Sequence, residues 1–147
     1  MISTNHCPTR CRRSSKGATE PVDLLLDTHA FLWWDSRNPS LGSGAAAAIA
    51  DSENRVFVSA ASVWEIAVKA RLGRLTFTGS PSAAIGSNGF TPLPILPEQA
   101  EASAALPDIH QDPFDRILIA QALARRFVLV TADQKVKRYD VPILWAR

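Results

Sequence analysis

Four acidic residues stand where an ionised carboxylate needs an explanation. Asp27, in VDLLLDTHAFLWW, ends an aliphatic run and begins an aromatic one. Glu65 lies inside SVWEIAVKARLG, Asp115 inside DPFDRILIAQALARR and Asp133 inside FVLVTADQKV. A carboxylate in such apolar company must be solvated, paired or bound to something. Taken singly, each has an ordinary structural role. Asp27 and Asp133 follow strand-like runs and suit helix N-caps. In DPFDR, Asp112 reads as the N-cap, Pro113 as the first helical residue and Asp115 as the third. Glu65 precedes Lys69 by four positions, the spacing of a helix-surface ion pair.

The elements around these acids change that reading. VDLLL, RVFVSA (55–60), FTPLPIL, FVLVTA and VPILW have the short apolar or extended character of strands. Between them lie THAFLWW, GAAAAIA (44–50), SVWEIAVKARLG, PEQAEASAAL and DPFDRILIAQALARR as helices. SPSAAIGSNG reads as a short helix or loop, and DQKVKRY as a short helix. Strands alternating with helices predict an α/β fold, a small parallel sheet covered by helices on both faces. In such a sheet every strand ends at one edge, where ligands bind. All four acids are expected at that edge, whatever their separation in sequence.

Four converging carboxylates repel. At about 5 Å and an effective dielectric near 20, each pair costs roughly 3 kcal/mol. Arg116 and Lys69 are too few, and too close in sequence to the acids, to neutralise the set. A site of hard oxygen ligands, without a His–Cys set, favours Mg²⁺ or Mn²⁺ over zinc. Ions of this kind serve phosphate chemistry.

Other chemistries lack their residues. The chain has no GxGxxG after a strand, no GxxxxGK[ST] and no GxSxG. Thr28-His29 follows Asp27, so the second acid of a DxD phosphatase motif is missing. Cys7 and Cys11, with His6, form at most half of a metal knuckle and read as free thiols. The formal charge of +2 over 147 residues is misleading. Residues 1–20 carry +3 and the remainder −1, so the basicity belongs to the N-terminal arm, not to the body. The expected organisation is a flexible arm over 1–21 and one domain over 22–147. No run approaches the roughly 18–20 apolar residues of a membrane span. Nor does an apolar run follow the basic N-terminus, as a secretory signal requires; a cytoplasmic protein without membrane contact is expected.

LLLDTHAFLWW (24–34), SAASVWEIAVKARLGRL (59–75), DPFDRILIAQAL (112–123) and LVTADQKVKRYDVPIL (129–144) together resemble a PIN domain, and more narrowly the VapC-type ribonuclease toxins of type II toxin–antitoxin pairs. The resemblance runs in order over about residues 22–147. It implies an endoribonuclease dependent on Mg²⁺ or Mn²⁺, which hydrolyses RNA phosphodiester bonds with metal-activated water and leaves 5′-phosphate and 3′-hydroxyl ends. The family's acidic quartet falls on Asp27, Glu65, Asp115 and Asp133. Asp27 and Asp115 would be the principal metal ligands, with Glu65 and Asp133 ligating directly or through water. Thr131 matches the Ser or Thr that the family places just upstream of the last acid. The implied partners are RNA, a small antitoxin covering the acidic site, and a second copy of the chain in a homodimer. Two rivals are a PIN nuclease of RNA processing without a toxin role and a non-catalytic α/β binding module.

Other residues carry weaker expectations. Arg116 could orient Asp115 or meet phosphate, but a simple surface pair is the plainer expectation. His29 and His110 read as structural or incidental, since neither completes a His–carboxylate metal set. Lys69, Arg71 and Arg74, and separately Arg125, Arg126, Lys135, Lys137 and Arg138, are either solvated helix ends or tracks for an RNA backbone. Trp64 is expected in the core. Adjacent Trp33 and Trp34 point about 100° apart on a helix, so at least one belongs to an edge or an interface.

Overall fold

The computed structural model describes residues 20–147; the arm with His6, Cys7 and Cys11 lies outside the described residues. Strand β1 (Asp23–Leu26) is the centre of the sheet. Its Leu24, Leu25 and Leu26 are all fully buried, but they serve two different cores. Side chains alternate along a strand. Leu24 and Leu26 therefore face Phe31, Val58 and Ile66, while Leu25 faces Phe57, Leu118, Phe127 and Leu129. A continuous apolar run is what a strand covered on both sides requires. Burying each leucine stabilises the fold by about 1.5–3 kcal/mol.

Five parallel strands pair in the order β3-β2-β1-β4-β5, with β2 at Arg55–Ser59, β3 at Thr91–Leu93, β4 at Val128–Thr131 and β5 at Ile143–Trp145. Helices α1 (Thr28–Asp35), α2 (Ser43–Ala50), α3 (Ala60–Arg71) and α4 (Pro81–Ser87) send Phe31, Ile49, Ile66 and Ile85 into one core. Helix α6 (Pro113–Arg125) supplies Leu118, Ile119 and Ala122 to the other, and α5 (Pro97–Ala104) packs against α6. The expected α/β architecture, helices on both faces of a small parallel sheet, is the observed one.

Local signals account for the boundaries. RVFVSA was expected to run as strand to residue 60, but the strand stops at Ser59. The Ser59 hydroxyl accepts the Ala61 N–H at 3.0 Å and so begins α3. DQKVKRY forms a short 3₁₀ helix over Gln134–Arg138. No helix among the described residues is long and apolar enough to cross a membrane.

Candidate active site

Two of the four acids, Asp27 and Asp133, cap helices, and Asp112 caps a third, as their positions predict. Asp27 follows β1, its backbone N–H held by the Val130 carbonyl at 3.0 Å. Its Oδ1 accepts the Ala30 N–H at 2.8 Å. Asp133 caps the 3₁₀ helix, with Oδ1 accepting the Lys135 N–H at 2.9 Å. Asp112 caps α6, accepting the Phe114 N–H at 2.9 Å, with Pro113 in the first helical position. Asp115 then projects from the first turn of α6 and caps nothing.

The caps do not exhaust the acids. Asp27, Asp115 and Asp133 line one cleft of about 370 Å³, together with His29, Trp33, Thr131 and Arg147. Thr131 lies between two of them: its oxygen accepts the Asp133 N–H at 3.0 Å, and its hydroxyl is near enough to Asp27 to lower that carboxyl's pKa. Burial is the largest influence on Asp27 and raises its pKa; the bonds from Thr131 and Ala30 and the nearby His29 pull it back only in part, and Asp133 adds to the rise. Asp115 is pushed up to about 6, chiefly by burial and next by the charge of Asp112, with Glu65 and Asp133 adding to it and His110 opposing. Asp133 behaves differently. Burial is again the largest single influence, but hydrogen bonds from His110 and the Lys135 backbone outweigh it and hold the pKa below the ordinary value.

Glu65 stands apart from the cleft lining. Its Oε1 accepts the Thr28 hydroxyl at 2.6 Å, and its Oε2 accepts Lys69 Nζ at 2.6 Å. The expected pair with Lys69 is present, yet it is not a surface pair, because Glu65 is buried. Its charge reaches Asp115, whose pKa it helps to raise.

Two expectations are corrected here. Arg116 makes neither a surface ion pair nor a bond to Asp115. Its guanidinium donates to five backbone carbonyls: Ser103 at 3.1 Å, Ala104 at 3.4 Å, Leu106 at 2.7 Å, Pro107 at 3.0 Å and His110 at 2.9 Å. A planar fork with five N–H groups suits a turn whose carbonyls converge. His110 is not incidental either. It is buried, with Nε2 2.7 Å from Asp133 Oδ2 and Nδ1 2.8 Å from the Tyr139 hydroxyl. One ligand atom each from His110, Asp115 and Asp133 all lie within 4.8 Å of one another. The signal for His110 in the sequence was its place two residues before the Asp112 cap, on the loop that Arg116 gathers in.

The donor set fits a divalent cation. Neither Asp27 nor Asp115 has an ion-pair partner among the described residues. Burial is the main cause of both raised pKa values, with neighbouring carboxylates adding to them, so a bound cation would favour the ionised forms. Carboxylate oxygens, with one imidazole close by, suit Mg²⁺ or Mn²⁺.

Trp64 also departs from expectation: it is 56% exposed rather than in the core. It meets the Phe114 ring edge-on at 4.9 Å. Trp33 and Trp34 are half-buried. Trp33 faces the cleft under the Arg147 guanidinium, and Trp34 packs on Phe90 and donates to Asn88.

The sequence model of the PIN domain matches residues 24–142. Ribonuclease VapC22 of Mycobacterium tuberculosis (strain ATCC 25618 / H37Rv) is 28% identical over 122 residues, covering 81% of this chain and 93% of that protein. VapBC2 from Rickettsia felis, solved bound to a DNA fragment from their promoter, is similar in structure with a TM-score of 0.60 at 14% identity, covering 85% of this chain and 99% of that one. A toxin–antitoxin complex from Klebsiella pneumoniae gives a TM-score of 0.59 at 19% identity, covering 82% and 95%. At these identities the structural likenesses show the fold.

Proposed function

The chain belongs to the PIN domain family, and on that premise we propose that it is a divalent-metal-dependent endoribonuclease, the toxin of a type II pair. The observation that carries this reading is the convergence of Asp27, Asp115 and Asp133 in one cleft, where Asp27 and Asp115 have no ion-pair partner among the described residues. The name of the mycobacterial relative supports ribonuclease activity, and the toxin–antitoxin complexes among the structural relatives support an antitoxin partner.

Asp27, Asp115 and Asp133 would hold the ion, Mg²⁺ or Mn²⁺. The chemistry a bound divalent cation supplies is Lewis acidity toward water and phosphate. The chain's own groups arrange the rest. Thr131 ties the Asp133 backbone to the strand end beside Asp27. Glu65, whose oxygens accept Thr28 and Lys69, adds negative charge at Asp115 and does not itself line the cleft. Trp33 and the exposed Arg147 line the cleft with the carboxylates, and Arg147 would meet the phosphates of an RNA backbone that entered it. Attack by water with cleavage of the P–O3′ bond, the 3′-oxygen leaving, would give 5′-phosphate and 3′-hydroxyl ends without using the 2′-hydroxyl. The antitoxin covers the same acidic cleft, and a second copy of the chain completes a homodimer.

The test is cleavage of RNA by the purified protein with Mg²⁺ or Mn²⁺, with EDTA, and with Asp27→Asn. Asparagine caps a helix about as well as aspartate, so this variant keeps α1 and loses the charge. Metal-dependent cuts that are absent from Asp27→Asn and bear 5′-phosphates are the expected result. Cleavage that persists in EDTA or in the variant would overturn the reading.

A further inference from the structure

The loop between α5 and α6 and the turn after the 3₁₀ helix meet behind the cleft through a chain of buried polar contacts that capping leaves unexplained. Asp133 uses Oδ1 to cap the 3₁₀ helix; its Oδ2 lies 2.7 Å from His110 Nε2. An ionised carboxylate only accepts, so Nε2 carries the hydrogen. On the other side of the ring, Nδ1 lies 2.8 Å from the Tyr139 hydroxyl. That same hydroxyl oxygen accepts the His110 backbone N–H at 3.2 Å, and when the imidazole is neutral with its hydrogen on Nε2, the hydroxyl's own hydrogen goes to Nδ1. The bonds therefore run in one direction, from the His110 backbone to Tyr139, on to the imidazole and out to Asp133.

The surroundings hold this chain still. His110 and Tyr139 are 5% and 8% exposed, and their rings stack at 5.4 Å. The His110 carbonyl is tied to Arg116 at 2.9 Å. Burying so many polar groups is costly unless every partner is present. His110 is also absent from the cleft lining, whereas Asp27, Asp115 and Asp133 form it.

We propose that Tyr139 and His110 are positioning residues, which hold the Asp133 carboxylate in the orientation that presents it to the cation shared with Asp115 and Asp27. The proposal rests on the metal-site reading above. Groups that orient ligands from behind typically change metal affinity 10- to 100-fold when removed.

The experiment is Mn²⁺ titration of the full chain by electron paramagnetic resonance, for wild type, His110→Ala, Tyr139→Phe, Asp133→Asn and the His110→Ala/Asp133→Asn double variant, with thermal melts beside it. His110→Ala is expected to weaken Mn²⁺ binding by at least about 10-fold. Tyr139→Phe, which removes one oxygen and keeps the ring, acts in the same direction with a smaller loss. In the Asp133→Asn background, His110→Ala adds little, because the two act as a unit. Wild-type binding of Mn²⁺ with unchanged affinity in both His110→Ala and Tyr139→Phe would overturn the positioning role and leave the metal site standing. A nitrogen coupling to bound Mn²⁺ that disappears in His110→Ala would overturn it in favour of direct ligation. No Mn²⁺ binding by the wild type would remove the metal reading and this proposal with it.

Discussion

Asp27 and Asp133 hold two positions at once, each a helix cap and each a wall of the cleft. The two roles share a geometric cause. In a parallel α/β fold the residue that leaves a strand and enters a helix sits at the carboxyl edge of the sheet, and it is also the residue whose side chain meets the helix's free N–H groups. At Asp27 capping engages one oxygen and leaves the other, whereas at Asp133 the second oxygen meets His110 at 2.7 Å. Asp115 differs, since nothing bonds it, and its pKa of about 6 implies a pH dependence. A folded-state pKa above the ordinary value of 3.8 means that protonation favours the fold. The contribution is fully present below pH 3.8 and lost as pH rises through about 6. Metal-free Asp115→Asn is therefore expected to be more stable than wild type at pH 7.5, by about 1–2 kcal/mol after allowing for the partial exposure of the group. The advantage vanishes near pH 4. Added Mn²⁺ restores the wild type and not the variant. Thermal melts between pH 4 and 8, with and without the ion, test this; parallel pH profiles would count against it.

Arg116 and Arg126 show what single residues do for elements. Arg116 gathers the last carbonyls of α5 and the loop that follows, and thereby sets the backbone of His110. Lysine would keep the charge and lose the fork. Arg116→Lys is expected to cost about 2–3 kcal/mol and to raise amide hydrogen exchange in residues 105–110 more than in the sheet. Equal exchange in both would deny the clamp. Arg126 ends α6 in the left-handed region, with φ of 57°. A side chain there is strained by about 1 kcal/mol, which glycine avoids. Arg126→Gly should raise the unfolding midpoint in urea, with the cleft unaltered; a lower midpoint would contradict the account.

At the scale of the molecule, α3 leaves an apolar stripe uncovered. Trp64, Val68 and Leu72, four residues apart, are 56%, 36% and 58% exposed. Beside them Val63, Ile85, Pro92 and Leu93 line an apolar groove. A patch of this kind on a small domain marks a protein contact, and the homodimer proposed above would place it against its own copy. Val68→Glu is expected to convert the dimer to a monomer in sedimentation without lowering the melting temperature of the protomer. An unaltered sedimentation coefficient would locate the dimer contact elsewhere.

The sequence by itself determined the alternation of strands and helices, the strand-end and helix-start placement of Asp27, Asp115 and Asp133, and their assembly at one edge. These follow from local periodicity, from caps and from the topology that parallel strands impose, none of which needs a coordinate. Tertiary structure alone decided what depends on contacts between distant segments. His110 meets Asp133 across 23 positions and Tyr139 across 29, through a loop whose path no periodicity encodes. Glu65 turned inward to Thr28 because α1 and α3 pack together. Trp64 stayed outside because the face of α3 that carries it has no layer above it. Spacing says which residues share an element and an edge. Only packing says which side chain finds a buried partner and which is left to find one in another molecule.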